Sequence, residues 1–186
     1  GIYMQLTPGE LHNLSELMMS CVNTITNMAM FKEKAMDPEL KAIFESQFAA
    51  HVQDYNMKVK FVKEANGPSE KLNVPPLNKT LVDFTTSPIP PVPVTPNTSI
   101  QQFNDREMAT AYLLTLKRAG REYAWSAMEA GNPTLREFLK DAFTMACNHA
   151  YEVWEWMVKK GFYPLSPAPQ PLIDATASFF NEVSQQ

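Results

Sequence analysis

Cysteine is almost absent from this chain: two residues in 186, Cys21 and Cys147. Both fall in stretches predicted to be helical, so no disulfide framework is expected and synthesis in a reducing compartment fits. Charge is sparse as well. Asp, Glu, Lys and Arg make up 19% of the residues, below the usual quarter, and the net charge is only -4. That balance lacks the strongly basic face that nucleic acid requires, so no nucleic-acid partner is expected. No apolar run approaches the roughly 20 residues that span a bilayer, so no membrane span is expected either. No secretory signal is visible at the opening Gly1-Ile2-Tyr3-Met4, which suggests a trimmed terminus. No catalytic motif stands out. Hydrophobic residues make up 45%, enough at this length for one well-buried core, and a single domain over 1–186 is expected.

Proline is what the chain has, and it has it in one place. More than half of its 15 prolines fall between Pro68 and Thr98. Proline removes a backbone donor and disfavours the α-conformation in its predecessor, so 68–98 can be neither helix nor central strand. On either side lies a helical hairpin with matching punctuation.

In the first hairpin, 7–67, Thr7 caps a helix, Pro8 suits its first position and Glu10 completes a capping box. Leu11, Leu14, Met18, Cys21, Ile25 and Met28 then recur at spacings of three and four, the seam of a packed helix. Asp37-Pro38 starts a second helix with Leu40, Phe44, Phe48, His51, Tyr55, Val59 and Val62 on one stripe, ended by Gly67. The second hairpin, 104–161, replays this. Asn104 and Glu107 open a helix with Met108, Tyr112, Leu116, Ala119 and Tyr123 buried, stopped by Gly131. Asn132-Pro133 begins the next, with Leu135, Phe138, Ala142, Ala146, His149, Val153 and Trp156 inward and Gly161 behind Lys159 and Lys160.

Loop lengths choose the topology. Connections of a residue or two force the helices of each hairpin antiparallel. The proline-rich strap reaches about 90 Å at ~3.1 Å per residue. A helix of this kind is roughly 40 Å long. The strap can therefore cross the whole bundle and let the second and third helices run parallel. The expected fold is all-α: a ferritin-like four-helix bundle of two hairpins joined by a long proline-rich crossover. Leu81, Val82, Phe84, Ile89 and Val92 argue that the strap packs on the bundle, since a free linker has no use for apolar side chains. The tail, 162–186, is read as a short helix from Leu172 to Val183 that docks Ile173, Phe179 and Phe180.

Ferritin-like bundles invite a test for a di-metal centre built from glutamates and Glu-x-x-His pairs. His51 and His149 lie mid-stripe at corresponding places, but Phe48 and Ala146 stand where the glutamates would be. The third helix offers Glu122 and Glu129 only. A di-iron site needs several oxygen ligands, so none is expected, nor any cofactor or catalytic residue. Cys21, His51, His149, Glu122 and Glu129 are the weak metal candidates that remain, zinc accepting thiol and imidazole. Cys147, two residues from His149, points to another side of its helix. The plainer reading is that both histidines are buried and hydrogen-bonded to Tyr or Glu neighbours, and that both cysteines are small core hydrophobes. The eleven methionines read mainly as core filler against a promiscuous binding surface. Pro88 to Pro91 matches a Pro-x-x-Pro pattern, although packing on its own bundle is favoured. Trp154 and Trp156 cannot share a face, so at least one is expected to lie partly exposed, where it could serve an interface.

From Asn104 to Pro164 the chain resembles the coat F family of bacterial endospore coat proteins. The likeness is carried by Asn104-Asp105, Lys117, Tyr123, Glu129, the Asn132-Pro133-Thr134-Leu135-Arg136 turn, His149, Met157 and Lys160-Gly161-Phe162-Tyr163-Pro164. The first hairpin looks like a diverged copy. The resemblance implies a ferritin-like structural protein without catalysis, made in the mother cell and deposited in the spore coat. Its implied partners are other coat proteins or further copies of itself in a homo-oligomer. Two other classes stay open: a bundle that binds metal or a small ligand at its mid-core histidines, and an adaptor that presents its strap or a Trp/Met surface.

Overall fold

The computed structural model describes residues 5–80 and 89–185. Four long helices form the body: α1 (Pro8–Lys34), α2 (Pro38–Lys63), α3 (Asp105–Glu129) and α4 (Pro133–Lys159). A short α5 (Gln170–Phe179) follows. Each long helix starts where its cap is written. Thr7 Oγ1 accepts from Glu10 N while the Glu10 carboxylate accepts from Thr7 N. Asn104 and Glu107 make the same reciprocal pair. Asp37 and Asn132 accept from the first backbone amides of the helices they open, ahead of Pro38 and Pro133.

α1 packs antiparallel on α2 and α3 on α4, while α1 also faces α3 and α2 faces α4. Clasps at the two ends fix this order. At one end the buried Glu10 Oε2 accepts from Asn132 N at 2.9 Å, and Asn132 Nδ2 donates to Ala65 O at 2.7 Å. At the other, the Asp105 carboxylate accepts from Met36 N and Asp37 N at 2.9 and 2.7 Å. Asp37 Oδ1 also accepts from Trp156 Nε1, and its Oδ2 pairs with Lys160 at 2.9 Å. Burial opposes the charge on Asp37, but these donors overcome it and hold its carboxyl down to about 2.

With Ala65 at one end and Asp105 at the other, α2 and α3 run the same way and the chain between them returns along the bundle. Its described parts lie on α4 and α2. Leu72 is buried in the core with Val74 against it. Gln53 brackets the strap by donating to Lys71 O and accepting from Asn73 N. Further along, Asn148 Nδ2 donates to Pro75 O and Lys79 pairs with Glu155 at 3.0 Å. Val92 N donates to Gly161 O at 2.8 Å, and Arg106 donates to the carbonyls of Val92 and Pro93. Of the apolar residues expected to anchor the strap, Leu81, Val82 and Phe84 lie outside the described residues. Ile89 and Val92 are exposed by 43% and 41%, so the enclosed anchor is Leu72, at the strap's start. Native protein should therefore resist limited proteolysis from Leu72 to Lys79, and rapid cutting there would count against this packing.

Gly161 shows why glycine closes α4. Its φ is +74°, a left-handed conformation that side chains resist. Its N–H donates to Val158 O, and Phe162 N–H donates back to Met157 O, the paired closure of a Schellman turn. A Cβ here would lie 2.8 Å from Pro90 O and 3.0 Å from the Ile89 side chain. Gly161→Ala should therefore cost about 1–3 kcal/mol, read as a lower urea midpoint with faster cleavage around Val92.

The tail differs from expectation. α5 forms, but none of its residues is buried, and Ile173, Phe179 and Phe180 are 44%, 77% and 71% exposed. Pro164, Pro167 and Pro169 hold the connecting chain extended and carry the helix away from the bundle. Cys147 is also corrected: it is exposed, on the outer side of α4. The methionines divide, with Met28, Met57, Met108, Met145 and Met157 in the core and Met19, Met30, Met36 and Met128 at the surface. Trp156 is buried and Trp154 partly so, while Trp125 is the exposed tryptophan.

Candidate functional site

Two layers of polar side chains cross the middle of the bundle. Each is assembled from three of the four long helices, and neither is visible from one helix alone.

The first is built on Lys58 of α2. Its side chain is wholly buried, as is that of Asp54 one turn earlier. Lys58 Nζ lies 2.6 Å from Asp54 Oδ2, 2.6 Å from Tyr123 Oη of α3 and 2.9 Å from Cys21 Sγ of α1. An ammonium has three donors and all three are used. Tyr123 O–H donates in turn to Asp54 Oδ2 at 2.6 Å, and the Cys21 thiol donates to the same oxygen at 3.4 Å. Burial opposes charge on Lys58, but the adjacent Asp54 carboxylate outweighs it and raises the ammonium above its usual range. Burial also lifts the Cys21 thiol to about 11 against the pull of Lys58, and lifts Tyr123 well above its ordinary value. Cys21 is thus a thiol, and Tyr123 a phenol, in contact with a buried ion pair. Asp54 Oδ1 has no hydrogen-bond partner.

The second layer runs Glu152, Gln47, Tyr112, His51, His149. Gln47 Nε2 donates to Glu152 Oε2 at 2.8 Å, and its Oε1 accepts from Tyr112 O–H at 2.5 Å. Tyr112 has then spent its hydrogen. The 2.8 Å contact between Tyr112 Oη and His51 Nε2 must carry the imidazole's proton. The same N–H faces His149 Nδ1 at 3.1 Å, which accepts, so His149 holds its own proton on Nε2, where it has no partner. Burial keeps both rings neutral. It depresses His51 to about 4, with Asp54 opposing and Lys58 assisting. It depresses His149 to about 3, with the neighbouring His51 adding to the effect.

The sequence candidates are therefore only partly brought together. His51 and His149 meet directly, and Cys21 joins the Lys58 layer. Glu122 pairs with Arg118 near the surface and Glu129 is exposed, so neither reaches a histidine. Phe48 is half-buried and Ala146 buried where carboxylates would have to stand. Among the described residues, no group of three or more His, Cys, Asp or Glu side chains is arranged to hold a metal ion. Sequence reasoning missed Asp54, Lys58, Gln47 and the inward turn of Cys21 toward them. The motif residues Lys117 and Tyr163 touch as well, Lys117 Nζ donating to Tyr163 Oη at 2.8 Å and lying over its ring.

The chain is similar to known proteins in sequence and in fold. Residues 104–166, which hold α3, α4 and the Phe162-Tyr163-Pro164 turn, match the Coat F domain. A spore coat protein F-like protein of Bacillus subtilis, YhcQ, is 21% identical over 169 residues, covering 89% of this chain and 74% of that protein. A candidate spore coat protein of Bacillus halodurans C-125 has the same fold, with a TM-score of 0.64 at 12% identity, covering 89% of this chain and 96% of that one.

Proposed function

We propose that this chain, whose second hairpin matches the Coat F domain, is a structural component of the bacterial spore coat. It is made in the mother cell and built into the coat through protein–protein contacts. The match of residues 104–166 carries this reading. The polar core fits a scaffold better than a catalyst. Its ion pair, thiol and histidines point at one another, in layers buried from solvent, and the histidines are neutral. Meanwhile apolar side chains stand at the surface in quantity. Met19, Val22, Met30 and Met36 on the first hairpin, Trp125 and Met128 on α3, and the whole apolar side of α5 supply area for assembly contacts. No helix among the described residues is long and apolar enough to cross a membrane.

Tagging the chromosomal copy in the source organism tests the assignment. The protein should be undetectable in vegetative cells, accumulate in the mother cell during sporulation, and be extracted from purified spores with the coat fraction. Constitutive production with no coat-associated pool would overturn it.

A further inference from the structure

We propose that Cys21 and Lys58 are a modification site, at which dioxygen joins Sγ to Nζ through a single bridging oxygen and so crosslinks α1 to α2.

The geometry is what sets this pair apart from an ordinary buried contact. Lys58 Nζ and Cys21 Sγ are 2.9 Å apart. That separation is common for N–H···O bonds, but sulfur is a larger atom than oxygen and the contact is correspondingly close. Two single bonds meeting at a bent oxygen span about this distance, so the bridge needs little movement of either helix. Neither atom is free to turn away. Asp54 Oδ2 and Tyr123 Oη hold Nζ against the sulfur at 2.6 Å each. The site lies in the core, with the side chains of Lys58 and Asp54 wholly buried.

The step balances with one dioxygen. Lys58 first passes its extra proton to Asp54, which accepts it directly across the 2.6 Å contact and whose Oδ1 is otherwise unpartnered. The thiol, the amine and O2 then give Cys21–S–O–NH–Lys58 and one water. The O–O bond, one S–H bond and one N–H bond break, while an S–O and an O–N bond form. Sulfur and nitrogen each give up two electrons. Those four electrons reduce both oxygen atoms, one kept in the bridge and one leaving with the two hydrogens. The product also removes the ammonium from the core, leaving a protonated Asp54 and a neutral Tyr123 beside it. Cys147, exposed on α4, does not share this arrangement.

The natural chain is sufficient for the test. Iodoacetamide applied to the native protein blocks the accessible Cys147. The chain is then unfolded without reductant, its remaining thiol is titrated, and its intact mass is compared with that of a dithiothreitol-treated sample. For protein kept in air we expect loss of the Cys21 thiol titre and an intact mass higher by one oxygen less two hydrogens. Tryptic cleavage after Lys58 should also be lost, with a peptide joined to the one carrying Cys21. Dithiothreitol should reverse all of these and lower the Tm. A full Cys21 titre at unmodified mass overturns the proposal. So does a gain of oxygen without loss of hydrogen, which is a sulfenic acid, or loss of hydrogen without oxygen, which is a direct sulfur–nitrogen bond. Persistence of the mass change in Cys21→Ser overturns it equally.

Discussion

Asp54→Ala, measured in dithiothreitol at neutral pH, should destabilise the protein by about 3–5 kcal/mol, the usual cost of stripping one partner from a buried ion pair. The reason is what stays behind. Lys58 is wholly enclosed, and without the carboxylate its charge rests on one phenol oxygen and one thiol sulfur. Neither neutral group offsets the loss of hydration. The unfolding midpoint in urea would report the loss directly. Tyr123→Phe removes one acceptor and leaves the pair intact, and should cost less, about 1–3 kcal/mol. The informative comparison is the double variant Asp54→Leu with Lys58→Met. Apolar residues of similar volume relieve both charges of their burial, so this variant should recover most of the stability lost in Asp54→Ala. If Asp54→Ala unfolds at nearly the native midpoint, the ion pair is not the buried charge described here. If the double variant is less stable than Asp54→Ala, the layer is held by packing rather than by charge.

How far this layer could have been read from the sequence is a question of register. The stripes of the second hairpin were legible: Met108, Tyr112, Leu116, Ala119 and Tyr123, and then Leu135, Phe138, Ala142, Ala146, His149, Val153 and Trp156, are all buried as their spacing predicts, and only Cys147 was misplaced. The first was not. On α2 the buried positions are Leu40, Phe44, Gln47, His51, Asp54, Met57, Lys58 and Phe61. Apart from Met57, which widens the stripe beside Lys58, they alternate steps of four and three, the seam of a coiled-coil-like helix. A reader who prefers apolar residues steps aside to Phe48, Tyr55, Val59 and Val62, and none of these is fully buried. On α1 the buried series Glu10, Leu14, Leu17, Cys21, Thr24, Met28 and Phe31 keeps the same rhythm through two polar residues. Period therefore carried the signal and hydrophobicity obscured it. Caps and loop lengths were enough for the topology, because Thr7, Asp37, Asn104 and Asn132 act within three or four residues of themselves. The convergence of Cys21, Asp54, Lys58 and Tyr123 spans three helices, and no local pattern contains it.

The two core histidines should make the fold acid-sensitive in a window of their own. Both are neutral when folded, with values near 4 for His51 and 3 for His149, against an unfolded value of about 6.5. The folded state therefore binds protons more weakly than the unfolded chain. Above pH ~6.5 both states are neutral at these rings and the stability is complete. As pH falls below that value the unfolded chain is protonated first, and each histidine removes about 1.4 kcal/mol per pH unit. At pH 5 the loss is about 2 kcal/mol per ring and about 4 kcal/mol for the pair. The carboxylates act lower. Asp37, held at about 2, stabilises the fold above its unfolded value of 3.8 and loses that contribution only below it. The interval from pH 6.5 to 5 thus isolates the histidines, and the third one, His12, is exposed. His149→Leu keeps the Tyr112 acceptor for His51 and should remove about half of the drop between pH 6.5 and 5. It also deletes the unpartnered Nε2. Adding His51→Leu should flatten what remains. Urea unfolding at half-unit pH intervals separates these outcomes. A double variant that keeps the wild-type slope, with native helical content, would place the titrating groups outside this layer.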